Sequence, residues 1–220
     1  MSLPSGVLAR GPWEPADVAV SWSEEPFAAS QEATDAADRL LDDLRDRGSP
    51  AHDGLAARLT GFSTDNGTLR LQCEPVRWAL RLLDGGAAAQ SLSATCVVRS
   101  ADGRWLAGRR AAWLATWAER WALGAAGSVE VGENPAETLV RELQEEWSVT
   151  PQRISVEALV KLPSGLVSLV GQAWLADGTA VTPDAEHDEF AWWPADVESW
   201  PEQADAPLRR LAALVTPSGH

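Results

Sequence analysis

The sequence predicts a mixed α+β fold in which helices cover a mixed β-sheet. Three observations carry that expectation. Stretches with strand-like alternation lie before and after a central amphipathic helix. The chain has 220 residues, 45% of them hydrophobic, enough for one large domain or an ordinary domain with a smaller addition. Short clusters of turn-forming residues separate the segments.

Taken in order, residues 1–28 are rich in Pro, Ser and Trp and show no clear period. SQEATDAADRLLDDLRDRG opens on Ser30, a capping residue, and closes on Gly48, which predicts a helix. GLAARLTGF and GTLRLQCEP flank STDN and predict a hairpin. The small-residue run DGGAAAQS (84–91) marks the expected boundary between an N-terminal extension of unknown role, 1–90, and a second domain, 91–220. The extension has its own capped helix and hairpin, so it is expected to be a small α/β unit that narrows a site or forms a homodimer contact.

SATCVVRS, the turn ADG and RWLAGRR predict a second hairpin, and GSVEVGE a short strand or loop. The central helix follows. Asn134 is its cap, Pro135 suits the first helical position, and Glu137 completes a capping box. Ala136, Leu139, Val140, Leu143 and Trp147 recur at helical spacing and make the expected buried face. ISVEALVKL, GLVSLVGQAWL and EFAWW read as strands, and DAPLRRLAALV as a closing amphipathic helix.

Composition removes several function classes. A net charge of −14, with Lys161 the only lysine, opposes a nucleic-acid partner, because such binding needs phosphates neutralised by Lys and Arg. Small phosphorylated molecules remain compatible, held by a cation or a few local arginines. No apolar run approaches the roughly 20 residues of a membrane span. MSLPSGVLARGPWEP lacks the basic start and apolar stretch of a signal peptide. Cys73 and Cys96 lack CxxC spacing, which fits two buried thiols in a reduced, cytoplasmic protein.

Within the central helix, RELQEEWSV places Glu142, Glu145 and Glu146 within one turn. Like charges three and four residues apart repel by a few tenths of a kcal/mol per pair. Such a stripe either faces water or meets something positive. The surroundings favour the second: Gly127, five residues, Glu133, seven residues, then Arg141-Glu142-Leu143 and Glu145-Glu146. This resembles the Nudix box, whose pattern is Gly, five, Glu, seven, Arg-Glu-apolar-any-Glu-Glu-any-Gly-apolar. Six fixed polar or glycine positions match, and at ordinary residue frequencies chance gives that at about 10⁻⁷ to 10⁻⁸ per window. Ser148 stands where the family prefers glycine, at a helix end where a left-handed residue is easiest without a Cβ.

The resemblance extends over about 92–215, with residues 1–90 outside it. It implies the Nudix fold, a mixed β-sheet sandwiched between helices. It also implies hydrolysis of a nucleoside diphosphate linked to another moiety, a nucleotide sugar among the candidates. The implied cofactor is Mg²⁺ or Mn²⁺, with Glu142, Glu145, Glu146 and the carbonyl of Ala126 as ligands. Arg141 would orient the glutamates, supported by Glu133, with Glu145 and Glu146 in the catalytic centre. In the acidic stretch DAEHDEF, Glu189 is the expected general base because it directly precedes an apolar strand, and His187 reads as a surface residue. Arg109 and Arg110 are candidate phosphate ligands, of which strand alternation lets only one enter a cleft. Trp113, Trp117 and Trp121 recur every four residues, as one packed helical face or, for Trp121, a ring for stacking on substrate. Two alternatives stand beside hydrolysis: a non-catalytic Nudix domain binding a nucleotide metabolite, and an isopentenyl-diphosphate-isomerase-like enzyme using Cys96.

Overall fold

The structure is a computed structural model that describes residues 5–48, 53–83, 90–114 and 116–216. Most of the expected boundary, residues 84–89, lies outside the described residues.

Eleven strands and three α-helices are described, in the order β1 (Gly6–Trp13), β2 (Val18–Trp22), α1 (Gln31–Asp46), β3 (Leu55–Asp65), β4 (Thr68–Arg77), β5 (Leu92–Arg99), β6 (Trp105–Arg110), β7 (Trp121–Leu123), β8 (Ala125–Ser128), α2 (Pro135–Trp147), β9 (Arg153–Lys161), β10 (Val167–Trp174), β11 (His187–Trp193) and α3 (Ala206–Val215). An eight-stranded mixed sheet runs β1-β9-β10-β5-β6-β11, with β8 paired to β5 and β7 to β6. β5 and β6 are paired only at Arg99–Trp105. Beyond that point they splay, and each takes a separate partner, β8 or β7. The expected hairpin is therefore a corner.

α2 packs against the β5–β8 half of this sheet. Its Leu139, Leu143 and Trp147 are fully buried with Ala94, Cys96 and Val98 of β5 and Leu169 of β10. The opposite face carries Val97 and Val170, packed under Leu208, Ala212 and Val215 of α3. β5 and β10, which pair in parallel, are thus covered on both sides, as their nearly continuous apolar runs require. Val140, expected on the buried face of α2, is 37% exposed instead. Ala136, Leu139, Leu143 and Trp147 are buried as expected, and Glu142 and Glu146 are buried beside them.

The early residues are more ordered than their composition implies. β1 adds antiparallel to β9 at the edge of the main sheet. β2, β4 and β3 form a second, three-stranded sheet. The β3–β4 strands run beyond the STDN expectation and turn at Asn66-Gly67, both with positive φ, the two-residue connection that matches strand twist. α1 has its Ser30 cap accepting from the Ala33 amide, as expected. It buries Ala37 and Leu41 on Val76, Ala79 and Leu80, the last two in a short 3-10 turn, Trp78–Leu82. Backbone hydrogen bonds from Ala57 to Val129 and from Leu59 to Gln90 tie β3 to the main sheet region.

The box departure at Ser148 has a structural reading. Ser148 ends α2 at φ 55°, ψ 36°, the left-handed region that favours glycine. An L-residue there costs about 1 kcal/mol. Ser148→Gly is therefore expected to stabilise the fold by about 0.5–1 kcal/mol, raising the thermal midpoint by roughly 1–4 °C in a differential scan.

Candidate active site

The site forms where α2 meets β8. The cap of α2 is as expected: the Asn134 side chain accepts from the Ala136 amide, and Glu137 returns to the Asn134 amide. Asn134 also donates to the Val18 carbonyl of β2 at 2.8 Å, which fixes the start of the helix against the extension.

Arg141 then organises the acidic stripe. Its guanidinium lies 2.9 Å from Glu133, 2.7 Å from Glu142 and 3.0 Å from Glu145, and it donates to the Ser128 carbonyl at 3.1 Å. Glu145 is largely exposed, while Glu142 and Glu146 are buried. Gly127 explains how Glu142 fits: a Cβ at that position would fall on the Glu142 carboxylate. The box glycine is thus a packing requirement, since its φ is not left-handed.

Glu146 accepts from the Ala126 amide at 3.0 Å through one oxygen. Its other oxygen is buried without a hydrogen-bond partner, and so is His187 Nε2, 3.7 Å away. Burial pushes the Glu142 carboxyl up to about 7, against the pull of Arg141. Burial also raises Glu146 well above the ordinary carboxylate value, the Ala126 amide opposing and Glu142 adding to it. Glu186 is raised too, by burial first, with Arg110 opposing. It adds repulsion at both Glu142 and Glu146.

His187, expected at the surface, is almost fully buried, its ring 4.3 Å from that of Trp147. Burial lowers its imidazole, against Asp184, whose carboxylate lies 3.3 Å from Nδ1. A neutral ring donating Nδ1–H to Asp184 leaves Nε2 as an acceptor facing Glu146. Gly108 makes the room, because a Cβ there would strike His187 and Trp147.

Other expected residues separate. Arg110 lines a cleft of about 720 Å³ that also holds Ala126, Gly127, Glu146 and His187. Arg109 points away, 3.5 Å from Glu189 and 3.8 Å from Asp188. Glu189, the expected base, has a side chain 58% exposed and pairs with Arg109 rather than joining the stripe. The strand itself begins at His187, with a register shift between His187 and Glu189, so standing just before the apolar run does not bring Glu189 to the stripe. Glu186 and His187, from the same acidic stretch, are the ones turned towards the glutamates.

The three tryptophans do not share a helical face, since 111–114 and 116–120 are turns and bends. Trp121 packs on Trp193 at 5.4 Å, whereas the exposed Trp117 lines the cleft. Cys96 is fully buried and burial raises its thiol, as burial raises Cys73 to about 12. Cys96 therefore supplies no thiolate nucleophile, and the isomerase-like alternative loses its reactive group. Sequence reasoning missed Arg81, Lys161 and Arg210, which also line the cleft. They come from three distant segments, and nothing local in the sequence marks them.

Among the described residues no three His, Cys, Asp or Glu converge into a ready-made cation cage. Magnesium, though, is usually held by one or two carboxylates plus substrate phosphates. The fit rests on the spare buried oxygen of Glu146 and on carboxyls crowded enough to be raised together. A divalent cation would relieve both conditions. The donor set is compatible with one.

A helix carrying clustered glutamates is thus set against a mixed sheet, beside a largely apolar cleft that four basic side chains also line. The chain belongs to the NUDIX domain family, whose model matches residues 89–215. It is a Nudix-type diphosphate hydrolase, a family that generally uses divalent cations. Similar solved structures include a MutT NUDIX hydrolase from Burkholderia pseudomallei (21% identity, 57% of this chain and 98% of that one, TM-score 0.48). The NUDIX domain of Shewanella oneidensis NrtR complexed with ADP ribose is 23% identical (57% and 87% covered, TM-score 0.45). A MutT protein from Methanosarcina mazei Go1 is 24% identical (56% and 92% covered, TM-score 0.43). No curated protein matches the chain. No helix among the described residues is long and apolar enough to cross a membrane.

The raised Glu142 carboxyl gives a pH signature. Its folded value, about 7, exceeds its ordinary 4.5, so the folded state holds the proton more tightly. The resulting penalty on metal-free stability is absent below about pH 4.5, grows as pH rises and is complete above about pH 7. Its full size is on the order of 3 kcal/mol. Thermal melts without metal should show Glu142→Gln gaining on the wild type between about pH 5 and pH 7.5. Added Mg²⁺ or Mn²⁺ should narrow that gap, by stabilising the wild type alone.

Proposed function

We propose that the protein hydrolyses the diphosphate linkage of a nucleoside diphosphate joined to another moiety, with Mg²⁺ or Mn²⁺ as cofactor. The observation that carries this reading is the pair of buried carboxylates, Glu142 and Glu146, crowded beside a largely apolar cleft that Arg81, Arg110, Lys161 and Arg210 also line. Carboxylates crowd one part of the site, and basic side chains line the cleft beside it. A metal-bound diphosphate carries a cation for the first and an anion for the second.

In this reading Glu142, Glu145, Glu146 and the Ala126 carbonyl hold the cation. A divalent ion there supplies charge neutralisation for the diphosphate and acidifies water. Arg141 keeps the carboxylates in place, and Glu133 keeps Arg141 in place. Arg110 binds phosphate oxygens from the opposite wall. Glu186 and His187 are the groups near enough to Glu146 to manage a proton, and His187 is neutral and available as an acceptor. Catalysis then comes mostly from positioning and charge stabilisation. Arg109 and Glu189 pair outside the cleft and are assigned no contact with substrate. The exposed Trp117 ring is suited to stack on a base or sugar.

The test is a panel of nucleoside diphosphate derivatives, including nucleotide sugars, assayed with Mg²⁺ for release of phosphate-containing products. Turnover of at least one member is expected, and none across a broad panel with normal metal binding would favour a binding module. Glu146→Gln preserves size and helix propensity. It should lower kcat by about two orders of magnitude or more and weaken Mn²⁺ binding. Glu137→Gln, which alters only the helix cap, should stay within about three-fold of wild type. Equal turnover in the two variants would remove the carboxylate stripe from the mechanism.

A further inference from the structure

Arg81 lies outside the matched family segment, in the 3-10 turn of the N-terminal extension, yet its side chain enters the cleft. Packing delivers it there. Ala79 and Leu80, its neighbours in the turn, are buried against Leu41 of α1. The Trp78 amide donates to the Gly54 carbonyl at 2.8 Å, and the Trp78 indole donates to Ser128 Oγ at 3.2 Å. The Arg81 guanidinium donates to the same Ser128 Oγ and stands 5.7 Å from the Trp78 ring.

Those partners are neutral and account for little of a planar, five-donor fork. The charged groups it feels are opposed: Glu142 favours the cation, while burial and the neighbouring Arg110 disfavour it. Arg110 has its Nε buried without a hydrogen-bond partner, while its Nη2 lies 3.5 Å from Glu186. Two guanidinium groups thus line one cleft, near enough for Arg110 to disfavour the charge on Arg81. Each has one carboxylate that favours it, Glu142 for Arg81 and Glu186 for Arg110, but their mutual repulsion costs free energy. An anion between them reverses the sign. Lys161 and Arg210 line the same cavity, so four cations converge there in a chain whose net charge is −14.

We propose that Arg81 is a substrate-binding residue, forming with Arg110 a clamp for the non-bridging oxygens of the diphosphate, so that the N-terminal extension completes the site. The proposal rests on the diphosphate reading above and adds a contact from outside the family segment. Two guanidinium forks match the several oxygens of a diphosphate better than two ammonium groups would. The role of α1 and its small apolar core is then to hold the turn that carries Arg81. The extension has no separate ligand of its own in this account.

The experiment uses the full chain and methylenediphosphonate, a diphosphate that cannot be hydrolysed, titrated calorimetrically at saturating Mg²⁺. Arg81→Gln should weaken its binding by about 10- to 100-fold, the scale of a lost charge-assisted pair, with Mn²⁺ affinity within about three-fold. Arg70→Gln removes the same charge from an exposed position of the extension and should change affinity less than about two-fold. Steady-state kinetics should place the Arg81→Gln defect in KM as well as kcat. Unchanged diphosphonate affinity overturns the clamp, as does a loss explained by an equal loss of Mn²⁺ affinity, which would make Arg81 a partner of Glu142. Wild type that binds no diphosphonate also overturns it. If the glutamine variant does not fold, Arg81→Lys carries the test, with about three-fold or greater weakening expected and none overturning it. Absence of turnover across the substrate panel would instead strike the hydrolase reading, a separate result.

Discussion

The burial of two carboxylates, Glu142 and Glu146, on one face of α2 is the constraint to which the rest of the site is fitted. Removing carboxylates from water is expensive unless they are neutralised or paired. Each surrounding feature answers part of that cost. Arg141 supplies the charge for Glu142, and the Ala126 amide supplies a donor for Glu146. Gly127 and Gly108 vacate the space for Glu142 and for the His187–Trp147 stack. The cap at Asn134 and the left-handed stop at Ser148 set where the helix begins and ends. What is left unanswered is one oxygen of Glu146 and a raised Glu142. Local rules fail at the position where function is expected to demand it.

Much of this was legible because it is local. The capping box, the helix limits and the stripe follow from residues within one or two turns of each other, where spacing alone fixes neighbours. The left-handed stop was legible for the same reason. Val140 and the tryptophans show the limit of such reasoning. Periodicity says which residues share a helix face but not where that face ends, and α2 buries Glu142 and Glu146 while Val140 is exposed. The spacing of Trp113, Trp117 and Trp121 mimics a helix that the chain does not form: Trp117 and Glu119 have positive φ, which no continuous α-helix tolerates.

The acidic stretch before β11 failed for a related reason. Its place just before the apolar run singles out Glu189. The strand, however, starts at His187 and its register shifts between His187 and Glu189, so position along the chain does not say which side chains turn inward. Bulges of this kind depend on the partner strand, β6, and leave no mark in the sequence of β11 alone. The extension was likewise only half legible. Its helix and hairpin are strong local signals, whereas β1 and β2 lack a period because each is an edge strand with mixed exposure. Their place is decided by β9 and β4, far along the chain.

Charge distribution joins these observations. With 32 acidic and 18 basic residues, the surface repels anions on average. An enzyme for an anionic substrate then depends on local sign, because fields from exposed charges fade within about 8–10 Å at physiological salt. Inside a cleft with poorly polarisable walls the same charges act at greater strength. Gathering cations along the cleft and carboxylates beside it carries a cost for each set alone. Attraction from Glu142 at Arg81, and from Glu186 at Arg110, offsets part of that cost. Arg81 comes from the extension and Glu142 from the box helix, so this attraction also fastens the extension to the domain it borders. The electrostatics of the site and the docking of residues 53–83 onto the main sheet are in that sense one problem.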